Sequence, residues 1–463
     1  MISADQERST GMKVPVLFSF ITLRIENFGA IVFNPFLHSE IELTSQEAYI
    51  AGMFNGEFSM LAIEQEICKA FKLSPLDSSQ LLEDLVAKLN NSYCLKFVKI
   101  NGNEKSYSPP TRKTSATAYY SAPKNIVWDI TYSCNLKCKH CLTNSGKKGK
   151  HELSTNEVFR LIDKLVESKI LTVSLVGGEP FVRKDIVPIL KYLANTPIRT
   201  DISTNGLIIP ENVFHELKDL PIFQIQVSID GIGESHDDFR GRKGAFKKAC
   251  ETLIRLKKEG ISTSLSTTAT SKNINEIESL INLAVELGCD SYKAIPFIPA
   301  GRGEINDKEL RLTKQDSLTL SKIILAKKKE LADKIQIYTE STFTFFMDHE
   351  ASKTCHNGTM TCSAGFDVLS IGADGTAYPC PFLHDFPLGN LMSTPLDEIW
   401  HNSSTLNFLR CITKNDMTGA CKSCNFAPAY CQGGCKAAAF LTTNNLLETD
   451  PACFKDLVET AMK

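Results

Sequence analysis

The chain has 463 residues, enough for about three domains, and its 43% hydrophobic and 22% charged residues exclude a mostly disordered protein. A formal net charge of -2 gives no reason to expect nucleic acid or an anionic membrane as partner. The early apolar stretch from Val14 to Ile21 is short and broken by Pro15 and Ser19, and no ~20-residue apolar span follows, so a cytoplasmic protein with no membrane partner is expected.

Residues 16 to 33 read as two strands, VLFSFITLRI and GAIVFNP, around an Asn-Phe-Gly turn. Three helices are expected next. The first opens at Thr44 with Glu47 three positions on, a capping-box pattern. The second covers about 59 to 72, and the third, SSQLLEDLVAKLNNSY, puts Leu81, Leu82, Leu85, Val86 and Leu89 on one face. A strand, CLKFVKI, completes a winged-helix-like α+β domain over 1–100. Residues 101–121 are polar and aperiodic, which reads as a linker. From about 125, strands (NIVWDIT, LTVSLV, IRTDIST, FQIQVSI, STSLSTTAT, SYKAIPF) alternate with helices, the last helix spanning about 313 to 331. The fold class expected is therefore α/β, with a partial (β/α)6 TIM-like barrel over 122–335 whose ligands sit at the carboxyl ends of the strands. From about 352 the pattern breaks into Gly-rich and Cys-rich pieces, so a C-terminal domain over 336–463 needs cross-links or metals.

Sixteen cysteines are many for a cytoplasmic chain, where clustered thiols more often bind metal or do redox work than form disulfides. Cys68, Cys94, Cys250, Cys289 and Cys411 are scattered and read as small buried apolar residues. Cys134, Cys138 and Cys141, in TYSCNLKCKHC after the strand NIVWDIT, offer three thiolates from one loop. That is one too few to close a four-iron cube, so one iron stays open to chelate a second molecule. A chance cluster of thiols, or part of a zinc knuckle, is the plainer alternative. The remaining eight, Cys355, Cys362, Cys380, Cys421, Cys424, Cys431, Cys435 and Cys453, suffice for two fully ligated four-iron clusters. Tetrahedral zinc competes, since it also accepts pairs of the C-x2-C kind.

Val-Gly-Gly-Glu-Pro at 176–180 follows the second strand of the alternating region. Gly177 and Gly178 would let backbone approach a ligand, and Glu179 offers a carboxylate to an amino group; alone, the same residues suit a plain strand-to-helix turn. Ser203-Thr204-Asn205-Gly206, Ser228-Ile229-Asp230-Gly231 and HDDFRGRKGAF (236–246) lie beyond later strands, as does Pro299-Ala300-Gly301-Arg302-Gly303, which suggests no specific role. Asn205, Ser228 and Arg240 bring amide, hydroxyl and guanidinium groups, which serve equally as helix-cap or turn residues.

On these motifs the chain resembles the radical S-adenosylmethionine (SAM) enzymes, with His140 in the slot usually held by an aromatic ring. The resemblance implies an open-site [4Fe-4S] cluster on Cys134, Cys138 and Cys141. It further implies SAM bound by Gly177, Gly178 and Glu179 at its amine, and by Asn205, Ser228 and Arg240 at its ribose and carboxylate. An electron from a flavodoxin or ferredoxin would cleave SAM to a 5'-deoxyadenosyl radical that abstracts substrate hydrogen. The series Cys362-x12-Gly375-x4-Cys380, Cys421-x2-Cys424-x6-Cys431-x3-Cys435, Cys453 is similar to the SPASM extension of peptide-modifying members, apart from six residues where five are usual before the third cysteine of the C-x2-C run. Its interleaved ligation implies one auxiliary [4Fe-4S] cluster on Cys355, Cys362, Cys380 and Cys435, and a second on Cys421, Cys424, Cys431 and Cys453. Relatives that oxidise sulfatases carry an aspartate directly after the third ligand of the first auxiliary cluster. Here that position is Pro381, which argues against sulfatase maturation and leaves a base to come from elsewhere, for example Asp385 or His384.

The N-terminal unit is similar to the PqqD-like peptide-recognition domain of ribosomal-peptide maturases, which implies a precursor peptide whose leader adds as a strand to an exposed sheet edge. A generic winged helix is the alternative; DNA binding is disfavoured because the third helix, with Glu83 and Asp84, is not basic. The activity implied is a peptide maturase forming a thioether or side-chain cross-link. Its rivals are an oxidase of a folded protein or of a small molecule such as a tetrapyrrole, and an iron-sulfur electron-transfer or binding protein without SAM chemistry.

Overall fold

The computed structural model describes residues 13–37, 39–99, 119–339, 359–360 and 362–461. The chain forms two compact units, one of residues 1–121 with 196–199 and one of the remainder.

In the first unit, β1 (Lys13–Leu17) pairs antiparallel with β5 (Leu95–Lys99), while β2 (Thr22–Glu26), β3 (Gly29–Asn34) and β4 (Ser39–Thr44) form an antiparallel sheet in that order. VLFSFITLRI is thus two strands in two sheets, not one. The chain reverses at Phe18 to Ile21, where the Ile21 N–H donates to the Phe18 carbonyl. The expected turn before Gly29 is present, and only glycine fits it: φ is +148°, and a Cβ would stand 2.0 Å from the Leu43 carbonyl oxygen. Strand β4 was not expected, because its segment SEIELT runs directly into the helix cap. It is an edge strand, with Leu43 buried and Glu40 and Glu42 exposed.

Helix α1 (Ser45–Ala51) carries the capping box, Glu47 N–H donating to Thr44 Oγ1 and Thr44 N–H to Glu47 Oε2. Helix α2 (Met60–Phe71) is capped by Ser59. Helix α3 (Pro75–Asn91) begins three residues before the expected SSQLL, because Ser74 caps it and Pro75 takes its first position. Leu82, Leu85 and Leu89 of α3 are buried in the unit's core with Ile63 and Ile67 of α2, Val32 and Leu43, while Leu81 and Val86 pack at its margin.

The second unit is built on a ten-stranded sheet. The parallel strands run in chain order: β6 (Asn125–Thr131), β7 (Thr172–Gly177), β8 (Arg199–Thr204), β9 (Ile222–Ser228), β10 (Thr263–Ala269), β11 (Ser291–Pro296) and β12 (Gln336–Thr339). Between them lie α4 (Thr155–Glu167), α5 (Ile186–Ala194), α6 (Glu211–Leu217), α7 (Glu234–Arg240), α8 (Ala245–Lys258), α9 (Ile277–Glu286), α10 (Arg302–Ile305), α11 (Asp307–Leu310) and α12 (Lys314–Glu330). The six expected strands are all present, and β12 extends them by one, parallel to β11. Ser154 and Glu157 form a capping box at α4, whose Val158, Leu161, Ile162 and Leu165 are buried.

The sheet curls. In a flat sheet β6 and β11, five steps apart, would be separated by roughly 24 Å. Yet Arg302, just past β11, donates to the carbonyls of Cys138 (2.9 Å) and Ser145 (2.7 Å) in the loop after β6. The other edge of β6 is covered by β13 (Val368–Ile371), parallel to it, followed by antiparallel β14 (Thr376–Tyr378) and β15 (Gly389–Asn390). The rest is short helices, α13 (Leu396–Asn402), α14 (Ser404–Cys411), α15 (Lys436–Thr443) and α16 (Lys455–Ala461), among cysteine-bearing loops. Cys94 and Cys289 are buried and Cys68 and Cys250 half-buried, but Cys411 is exposed, because α14 turns its neighbour Arg410 inward instead. Among the described residues no helix is long and apolar enough to cross a membrane.

Replacing Leu82 by Ala removes a fully buried side chain from the N-terminal core and is expected to cost about 2–5 kcal/mol. Hydrogen exchange in urea should show β3 and α3 of the full chain opening earlier, with β7 to β9 unchanged.

Candidate functional site

The loop after β6 carries Cys134, Cys138 and Cys141, packed around Leu136, Leu207 and Ala245. Glu152 fixes its base, accepting hydrogen bonds from Thr131 Oγ1, Tyr132 N–H and Gly149 N–H. Its far side is held by the Gly301-Arg302 segment, for which the sequence suggested no role. Arg302 N–H donates to the Cys141 carbonyl, and Gly301 (φ +56°) lies so close that a Cβ would meet Leu142 O at 2.3 Å. The three sulfurs differ in setting. Burial pushes the Cys134 thiol up to about 11, and the Cys141 sulfur accepts from Ser145 N–H at 3.3 Å. Cys138 is also raised by burial, opposed by the Arg240 guanidinium, whose Nη1 is 3.7 Å from its sulfur.

The Gly177-Gly178-Glu179 turn at the end of β7 lies directly against this loop. A Cβ on Gly178 would stand 2.1 Å from the Ser133 carbonyl oxygen, and one on Gly177 (φ +119°) 2.4 Å from that of Thr131. Gly178 N–H donates to Thr131 O and Glu179 N–H to Ser133 O. The close approach the glycines allow is thus to the cysteine loop's own backbone, where a ligand had been expected. Glu179 is fully buried, and its carboxylate accepts from Thr204 Oγ1 (2.8 Å), Asn205 N–H (2.8 Å) and Phe181 N–H (3.2 Å). Burial nevertheless pushes its carboxyl up to about 7. One of its roughly four acceptor positions remains for an outside donor.

The Asn205 side-chain amide donates to Asn135 Oδ1 at 2.7 Å and lies 3.9 Å from the Cys134 sulfur. Arg240 is buried, and besides Cys138 it meets Asp230, its Nε 2.6 Å from Oδ2. Asp230 also takes the Thr268 N–H and faces His140, which stacks on Phe239 at 4.5 Å. Ser228 ends β9 half-buried and makes no hydrogen bond to the cysteine loop among the described residues.

The distal cysteines gather in two sets. Cys421, Cys424, Cys431 and Cys453 line one cavity with Gly433, Thr449, Asp450 and Lys455. Cys362, Cys380 and Cys435 line another, of about 430 Å³, whose remaining wall is mainly apolar and includes Val127, Phe297, Leu320, Pro381 and Leu383. Cys355 lies outside the described residues. No group of three or more described His, Cys, Asp or Glu side chains is gathered around a single ion-sized point. Backbone N–H groups of Gly433 and Ala438 point at the sulfurs of Cys431 and Cys435 (3.3 and 3.4 Å).

Of the two candidate bases, His384 has a partner that the sequence did not suggest, Asp129. His384, stacked on Tyr378 at 4.4 Å, brings Nε2 to 3.9 Å from Asp129 Oδ2 on β6. Both atoms are buried without a hydrogen-bond partner, and Asp385 is exposed. Burial lowers the His384 imidazole's affinity for a proton and pushes the Asp129 carboxyl up to about 7.

Residues 128–284 match the radical SAM superfamily, and residues 362–425 match the SPASM iron-sulfur cluster-binding domain. The AdoMet-dependent heme synthase of Methanosarcina barkeri (strain Fusaro) is 30% identical over 352 residues, covering 73% of this chain and 97% of that protein. The mycofactocin maturase MftC of Mycolicibacterium smegmatis is 33% identical, covering 72% of this chain and 83% of that one. The chain belongs to the radical SAM superfamily. Among solved structures, Streptococcus suis SuiB bound to its precursor peptide SuiA shares the fold, with a TM-score of 0.71 at 17% identity over 94% of this chain and 99% of that one. This radical SAM protein is an enzyme that uses a [4Fe-4S] cluster and SAM, with auxiliary iron-sulfur clusters in its SPASM domain. The residues fit such groups: three sulfurs share one loop, four line a single cavity, and backbone donors face several of them.

Two outcomes follow. Gly178→Ala forces a Cβ into the Ser133 carbonyl, so, on the ligand sets the sequence motifs imply, the anaerobically reconstituted chain should lose about four irons and keep about eight. Asp129 keeps its proton in the fold up to about 7 but loses it near 3.8 when unfolded, so the native state binds more protons in that window. Stability should therefore fall as pH rises from about 4 to 7, and Asp129→Asn should flatten that slope in urea midpoints of the apoprotein.

Proposed function

We propose that this enzyme is a cytoplasmic peptide maturase that joins side chains of a ribosomal precursor peptide oxidatively, as a thioether or a cross-link. The observation that carries this reading is the N-terminal unit with its sheet edge at β4, which no other described strand covers. The SuiB likeness covers 94% of the chain, whereas the heme synthase leaves about a quarter without a counterpart. We read that unit as a PqqD-like recognition domain. A leader segment adds along β4, gaining affinity from main-chain hydrogen bonds and selectivity from neighbouring side chains. The division at 1–100, 101–121, 122–335 and 336–463 follows from the same reading.

In the second unit, Cys134, Cys138 and Cys141 hold the open cluster, and the two distal sets, the first completed by Cys355, hold the auxiliary ones. The cluster and SAM, when bound, supply a 5'-deoxyadenosyl radical able to take hydrogen from an unactivated carbon. Glu179 offers its remaining acceptor position to the SAM amine beside Gly177 and Gly178, and Asn205, Ser228 and Arg240 frame the rest. Arg240, already bound to Asp230 and Cys138, acts through the cysteine. The apolar cavity wall keeps water from the reacting carbon. His384 Nε2, beside Asp129, takes the proton the substrate gives up; Pro381 carries none. A flavodoxin or ferredoxin supplies the electron.

With SAM and dithionite the chain should release 5'-deoxyadenosine, and a Cys134/Cys138/Cys141→Ala triple variant should not. Short peptides encoded beside the gene should lose two hydrogens in mass, and a chain lacking residues 1–110 should bind them no longer. The identity shared with the heme synthase favours a second reading, a tetrapyrrole substrate. Stimulation of 5'-deoxyadenosine by an iron-coproporphyrin and not by such peptides would replace the first reading with this one.

A further inference from the structure

Lys436 directly follows Cys435 and opens α15, and it is 1% exposed. Among the described residues its ammonium contacts neutral groups, the carbonyls of Gln432 (3.3 Å) and Gly433 (3.5 Å) and the Met417 sulfur (3.5 Å). The approach is close, since a Cβ on Gly433 (φ +84°) would stand 2.7 Å from Nζ. No carboxylate lies within ion-pair reach among the described residues. Asp450 is an acidic neighbour beyond ion-pair distance, its carboxylate accepting from the N–H groups of Cys435 and Ala452. Lys455, a cation lining the cavity of Cys421, Cys424, Cys431 and Cys453, already pairs with Glu459 at 3.3 Å.

An ammonium buried without an ion-pair partner is costly, and folds do not keep one without compensation. Geometry ties Lys436 to both sets: its backbone directly follows Cys435, and its ammonium lies on the carbonyls of Gln432 and Gly433, next in the chain after Cys431, and on Met417, which packs with Cys421, Cys424, Cys362 and Cys380. Deprotonated to hold metal, both sets are strongly negative.

We infer that Lys436 is the shared counter-cation of the two distal cysteine sets, placed between them to raise the reduction potential of both auxiliary clusters. This rests on the ligand assignment proposed above. It acts through space and through the cysteines, since cluster potentials follow local charge and hydrogen bonding at sulfur.

The test uses the full chain in the Cys134/Cys138/Cys141→Ala background, which isolates the auxiliary clusters, reconstituted anaerobically with iron and sulfide. Iron content and EPR-monitored redox titration are then compared with and without Lys436→Met and Lys436→Arg. The expected result is about eight irons in all three proteins. Both midpoints should be lower in Lys436→Met by roughly 59 mV, a tenfold change in a one-electron equilibrium, and be restored in Lys436→Arg. Clusters lost from Lys436→Met but retained by Lys436→Arg would also support it, because charge is then required for loading. Unmoved midpoints with iron intact, a shift in one cluster alone, or clusters lost from both variants would overturn it. If the background protein itself holds no iron, the ligand assignment fails and the inference falls with it, by iron count and not by potential.

Discussion

The constraint on which the rest of the second unit depends is the contact between two backbones at Gly177-Gly178 and Thr131–Ser133. Side chains longer than hydrogen cannot enter that gap, so the end of β7 is locked to the start of the cysteine loop by two main-chain hydrogen bonds. This lock aims Glu179 across to β8, where Thr204 and Asn205 hold it. Asn205 then returns to the loop through Asn135, closing a ring of contacts around Cys134. Arg302 braces the opposite side at Cys138 and Ser145. A loop carrying three sulfurs is thus fixed from β7, β8 and the segment after β11, a degree of preorganisation that a surface loop alone does not reach.

The chain handles charge differently at its two kinds of sulfur site. Beside Cys138, the Arg240 cation is already balanced by Asp230, which also takes a backbone N–H from Thr268 and faces His140. The local charge of protein groups there is close to neutral. Around the distal sets, backbone N–H groups of Gly433 and Ala438 reach sulfur, and Lys436 adds a cation with no carboxylate at ion-pair distance among the described residues.

Much of this was legible because it rests on local chemistry. The alternation of strands and helices from 125 onward follows from periodicity, the Thr44 capping box is present where the spacing put it, and the cysteine spacings separate three loop thiols from a distal group. What escaped depends on distant partners. Strand β4 is short and half polar and becomes a strand only through pairing with β3. Strand β13 sits in a Gly-rich region and is a strand because β6 offers it a free edge. Gly177 and Gly178 showed that something must come close, and the neighbour is backbone from a strand some forty residues earlier. The bracing by Arg302 and the pairing of the candidate base His384 with Asp129 had no local signature, since each meets its partner across more than a hundred residues.

These two electrostatic arrangements give the auxiliary sites a direction. An added electron is opposed by nearby negative charge and favoured by an uncompensated cation. The loop site offers an added electron a guanidinium already paired with a carboxylate, whereas the distal sites offer an ammonium with no carboxylate at ion-pair distance among the described residues. On the assignment proposed, adding charge is therefore easier at the distal clusters, as an acceptor of substrate electrons requires. That bias needs no contact between Lys436 and substrate. It needs only a buried lysine with no carboxylate at ion-pair distance among the described residues, and Gly433, with no side chain to block the approach, is the residue that permits it.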